Sequence, residues 1–78
     1  MRLRILQDAA NARAQEDMLY QINIDNFRMA INSINKSGDT SLFKHRDELA
    51  RLLGENLHQQ KVNRVMLDVI NQQIGGGE

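Results

Sequence analysis

The sequence predicts an all-α protein: an antiparallel hairpin of two long helices that dimerises into a four-helix bundle. Three observations predict it. Apolar residues recur at three- and four-residue spacing through most of the chain. Proline, the commonest helix breaker, is absent. A single strong turn signal, Lys36-Ser37-Gly38-Asp39-Thr40, divides the 78 residues into halves of nearly equal length. Equal helices joined by a short loop pack as antiparallel neighbours.

The first helix spans about residues 2–36. Its ambiguous stretch is YQINIDNF, residues 20–27. Tyr20, Ile22 and Ile24 alternate with polar residues, as in a half-buried strand. Tyr20, Ile24, Phe27, Ile31 and Ile34 also form one helical stripe. The alternation stops at Asp25, the stripe continues, and no other segment offers a strand partner. Helix therefore wins, with a weak spot at residues 23–26, where three of four residues favour turns.

The turn spans residues 37–40. Lys36 complements the dipole at a helix C-terminus, and Gly38 can adopt the left-handed conformation just beyond it. Asp39 or Thr40 then supplies a side-chain oxygen to cap the next helix.

The second helix spans about residues 40–74. Leu42, Leu49, Leu52, Leu53 and Leu57 share a face, and Asp47, Arg51 and Glu55 stand at i, i+4 across Gly54. A break near Gly54, giving a three-helix bundle, is the alternative architecture. Residues 1–74 then make one domain, and the glycine-rich 75–78 a flexible tail.

Each helix carries a second apolar stripe. Met18, Ile22 and Met29 lie nearly opposite the Tyr20–Ile34 face. Val62, Val65, Met66, Val69 and Ile70 are rotated well away from the leucine face, with His58-Gln59-Gln60-Lys61 between them. A hairpin gives each helix one neighbour, so a second stripe asks for another. Met18, Ile22, Met29, Val62, Val65 and Val69 are the candidate interface residues, for a second copy or a helical protein partner.

Composition narrows the function classes. Ten Lys and Arg balance ten Asp and Glu, so no net field draws the chain to nucleic acid or an anionic membrane. No apolar run reaches the roughly 20 residues that span a bilayer. Arg4 and Asp8 interrupt what would be the core of a signal peptide. Cysteine is absent, which excludes disulfides and thiolate metal sites and suits a reducing cytoplasm. Fifteen Asn and Gln could mark a disordered chain, but apolar residues make up 41% and are regularly spaced.

Chemistry finds little footing, and neither cofactor, metal nor small-molecule substrate is expected. Glu55 and His58 match the Glu-x-x-His spacing of di-iron bundles, without the second pair such sites require. The hydroxyls of Ser37, Thr40 and Ser41 cluster at the turn, where capping explains them. Arg13 and Asp17 fall where the main stripe should continue. The expectation is that the seam shifts to Ala14 and Met18 there, leaving the pair solvated; the alternative is a polar pair fixing register inside an interface. The sequence thus reads as a non-enzymatic protein–protein interaction module: an adaptor, small chaperone or regulator. A nucleic-acid-binding hairpin dimer is the alternative, through Arg2, Arg4 and Arg13 or through Lys61 and Arg64.

Overall fold

A computed structural model describes residues 2–76. It is a hairpin measuring 58 × 14 × 13 Å. Helix α1 runs Arg2–Ser37 and helix α2 runs Phe43–Gly76, joined through a short 3₁₀ turn at Thr40–Leu42. The ambiguous residues 20–27 are helical throughout, including the expected weak spot. The second helix is continuous through Gly54, so the three-helix alternative does not hold. Arg51 on one side of Gly54 pairs with Glu55 on the other, and the glycine itself is exposed. α2 also continues through Gly75 and Gly76, two residues beyond the expected end. The rest of the expected tail, Gly77 and Glu78, lies outside the described residues.

The turn is built by short-range hydrogen bonds. The Ser37 hydroxyl donates to the Ile34 carbonyl at 2.7 Å and accepts from the Asp39 amide at 3.2 Å. Gly38 takes the left-handed conformation, with φ of 67°. Of the two capping candidates it is Asp39 that acts, its carboxylate accepting from the Ser41 amide at 3.0 Å and the Ser41 hydroxyl at 2.6 Å. These bonds, the hydroxyl's first, hold the Asp39 pKa below the ordinary aspartate value.

The helices meet along one seam. In α1 it follows Leu6, Ala10, Arg13, Asp17, Tyr20, Ile24, Phe27, Ile31 and Ile34; in α2 Arg46, Leu49, Leu53, Asn56, Gln60, Asn63, Leu67, Ile70 and Ile74. All of these are buried or half-buried. The spacing alternates strictly between three and four residues, which is the heptad pattern that keeps one seam facing a partner helix. Cross-helix hydrogen bonds fix the register: Asn35 with Arg46, Asn23 with Asn56, Gln21 with Gln60, and Asp17 with Arg64. In this register Phe27 comes level with Leu53, Tyr20 with Gln60, and Leu6 with Ile74.

Only two apolar side chains among the described residues are buried, Ile24 and Ile34. Both lie in the stretch of the seam towards the turn, where Phe27, Ile31, Leu49 and Leu53 flank them. Arg46 closes that end, its guanidinium 4.1 Å from the centre of the Phe43 ring.

The two interior glycines give opposite predictions. A Cβ at either meets nothing within 4 Å, so backbone conformation alone decides. Gly38→Ala forces a left-handed alanine and should cost about 1 kcal/mol. Gly54→Ala removes a flexible residue from a helix and should stabilise by about 0.5–1 kcal/mol. Urea unfolding of both variants checks the pair; a destabilised Gly54→Ala would mean that α2 bends there in solution.

Candidate functional site

Two surfaces of the hairpin could bear function: the polar middle of the seam and the apolar strips outside it. The polar middle is built around Asn63, which is 2% exposed. Its side-chain amide donates to the Arg13 backbone carbonyl at 2.7 Å, and its oxygen accepts from the Arg13 guanidinium at 3.4 Å. One layer nearer the turn, the buried Gln60 amide donates to the Gln21 side-chain oxygen at 2.9 Å. Arg13 also pairs with Glu16 at 3.1 Å, and Arg64 reaches across to Asp17 at 2.7 Å. Bonding to the Asp17 carboxylate, and then its charge, raise the Arg64 pKa above the ordinary guanidinium value.

The expected shift of the seam to Ala14 and Met18 does not occur. Both are exposed, whereas Arg13 and Asp17 are half-buried at seam positions. The heptad register carries the seam straight through them because Asn63 and Gln60, on the other helix, can satisfy polar neighbours. Nor do Arg13 and Asp17 pair with each other; each turns to another partner. Ile70, assigned to the outer stripe from sequence, is half-buried in the seam instead. Gln60 and Asn63 were missed as interior residues because polarity conceals a seam position; only their spacing from Leu53, Leu67 and Ile70 marks it.

The six candidate interface residues all lie on the surface. Met18, Ile22, Met29, Val62, Val65 and Val69 are between 40% and 67% exposed. Leu19 and Met66 are exposed beside them, as is Ile5 nearer the start of α1. Single exposed apolar residues are ordinary; rows of them at helical spacing mark interaction surfaces. Along α2, Val62, Val65 and Val69 form such a row. Along α1, Ile5, Ala12, Leu19, Ile22 and Met29 form another on the outer face.

The remaining polar features belong to the surface. Arg51 binds both Glu48 and Glu55, and its hydrogen bond holds the Glu48 pKa below the ordinary glutamate value. Glu55 is thereby engaged with Arg51, three residues from His58, which is exposed. A shallow, open depression of about 370 Å³ lies at the free end of the hairpin, lined by Arg2, Val69, Gln72, Gln73 and Gly76. Among the described residues no helix is long and apolar enough to cross a membrane.

Fold and surface together define a class: a two-helix hairpin with a partly polar seam and apolar strips on its outside. Neither protein-family models, nor curated proteins, nor solved structures match this chain. Its function is therefore argued from these residues.

Two outcomes test the polar seam. Asn63→Leu should raise stability by about 1–2 kcal/mol, since it adds buried apolar area and leaves the Arg13 carbonyl its place in the α1 ladder. It should also broaden the distribution of masses seen by light scattering, because a buried amide specifies register at a cost in stability. A loss of stability would show that the amide's bonds outweigh leucine burial. Asp39 supplies the second test. Its lowered pKa means a contribution to stability that is present above the unfolded-state value and lost as pH falls through the folded one. Asp39→Ala should therefore melt earlier than the parent chain at pH 7, with the gap closing as pH drops below the aspartate range.

Proposed function

We propose that this chain is a small interaction module without chemistry of its own, acting through apolar helix faces as an adaptor, small chaperone or regulator. Its first partner is a second copy, hairpin on hairpin, in a four-helix bundle. One observation carries the reading: among the described residues the hairpin encloses two apolar side chains and leaves rows of large ones outside. Ordering each residue costs roughly 1.5 kcal/mol, and a single partly polar seam offsets little of that. Covering the outer rows with another helical surface supplies the missing burial. A cytoplasmic setting suits the cysteine-free sequence.

Charge pairing weighs against the nucleic-acid alternative. Arg13, Arg46, Arg51 and Arg64 each lie within ion-pair distance of a carboxylate. The two basic stripes suggested by sequence each lose a member in this way, Arg13 from one and Arg64 from the other. A phosphate-binding surface needs several uncommitted cations side by side.

Light scattering on a sizing column, over a wide concentration range, tests the reading. The expected mass is twice 9.0 kDa. Replacing Ile22 and Val69 together with Asp should give a smaller, soluble and less stable species. If mass and melting temperature both stay unchanged, the outer rows are not an interface. Binding to RNA or DNA that weakens steeply with added salt would favour the alternative instead.

A further inference from the structure

The two flanks of the hairpin differ, and the difference bears on where a second copy packs. In an antiparallel pair of helices, each flank combines one edge of α1 with one edge of α2. Seam register and helical spacing place Ile5, Ala12 and Leu19 of α1 on the same flank as Val62, Met66 and Val69 of α2. The depression at the free end supports this placement, because Arg2 at the start of α1 borders Val69 and Gln73 there. The opposite flank carries the Asp17–Arg64 and Gln21–Asp25 bonds and Lys61, with Met18 and Leu57 the large apolar side chains exposed on it.

The apolar flank is confined to the open half of the hairpin. Towards the turn the same edges carry Asn26, Ser33, Glu48 and Glu55. The polar stretch of the seam therefore shares its height with Leu19, Val62 and Met66 of the apolar flank. Area favours a second copy as the occupant. The chain exposes 5914 Å², whereas a compact monomer of its mass exposes roughly 4,900 Å². The excess, roughly 1,000 Å², is comparable to the roughly 800 Å² per partner that a standard stable interface buries.

Resting on the self-association reading above, we propose that two hairpins pack flank to flank by their open halves only. A two-fold axis then passes near Met66, and the turns point in opposite directions and overhang. The dimer is longer than either hairpin, and its central section is the four-helix part. A two-fold contact of this kind is self-complementary and closed.

Because the chain has no cysteine, single spin labels on Met66→Cys, Lys61→Cys and Lys44→Cys report distances within the dimer. The expected result is a pair within roughly 20 Å at Met66, since packed helices approach to 8–10 Å. Lys61, on the polar flank, should be farther apart. Lys44, near the turn and outside the proposed contact, should give labels separated by more than the 58 Å length of one hairpin. Should the Met66 label disturb the contact, the Lys44 distance decides by itself. A dimer whose Lys44 labels lie closer than 58 Å overturns the staggered arrangement while leaving self-association standing. A chain that stays monomeric at every concentration overturns both.

Discussion

Two helices in contact share a single seam, and in this chain the middle of that seam is polar. Everything else about the molecule follows from how the seam is divided. Near the turn, Ile24, Phe27, Ile31 and Ile34 meet Leu49 and Leu53, and this stretch carries the buried apolar side chains. In the middle, Arg13, Asp17, Gln60 and Asn63 stand at positions that heptad geometry forces inward, and at the open end Leu6, Ala10, Leu67, Ile70 and Ile74 make the seam apolar again. Each of the polar four finds a hydrogen-bonding partner, and no buried side-chain nitrogen or oxygen among the described residues is left without one. Satisfied polar layers cost little, but they contribute little net stability either.

The seam's specificity comes from the same groups. A leucine can slide past another leucine by a turn with modest loss. Asn63 cannot, because its donor is matched to one backbone carbonyl and its acceptor to one guanidinium. Gln60 with Gln21 and Arg64 with Asp17 repeat the constraint on either side. Three such bonds within about two helical turns leave one register in which all are made at once. A polar seam of this kind defines alignment, and burial must come from elsewhere.

The sequence made the architecture legible and the phase of the second helix only in part. Two helices, a turn at Gly38 with a capping Asp39, and the Tyr20–Ile34 face were all readable because apolar periodicity and turn chemistry agree there. The failure came where the seam is polar. A stripe traced by hydrophobicity alone loses the seam at Asn56, Gln60 and Asn63, and then takes Val62, Val65 and Val69 for its continuation displaced around the helix. Tracing the three-and-four spacing regardless of residue type recovers it from Leu53 to Leu67. The rows at Ile22 and Met29, and at Val62 to Val69, survive this correction, since they lie outside the seam either way.

Polar seam and apolar flank are two sides of one physical arrangement. A helix has a limited circumference, and in the middle of α2 the inward positions 56, 60 and 63 went to amides while Val62 and Val65 went outside. In an isolated hairpin this is a poor use of apolar surface, because valine and methionine face water while asparagine is buried. In a bundle of four helices the edge becomes interior, and the amides become a central polar layer that holds each hairpin in register before it meets another. In the proposed dimer, register is set within one chain by hydrogen bonds and stability between chains by apolar contact. That division separates two effects that a single-seam hairpin would confound: substitutions at Asn63 or Gln60 should change which alignment forms, and substitutions at Val62, Met66 or Val69 should change how tightly two copies hold together.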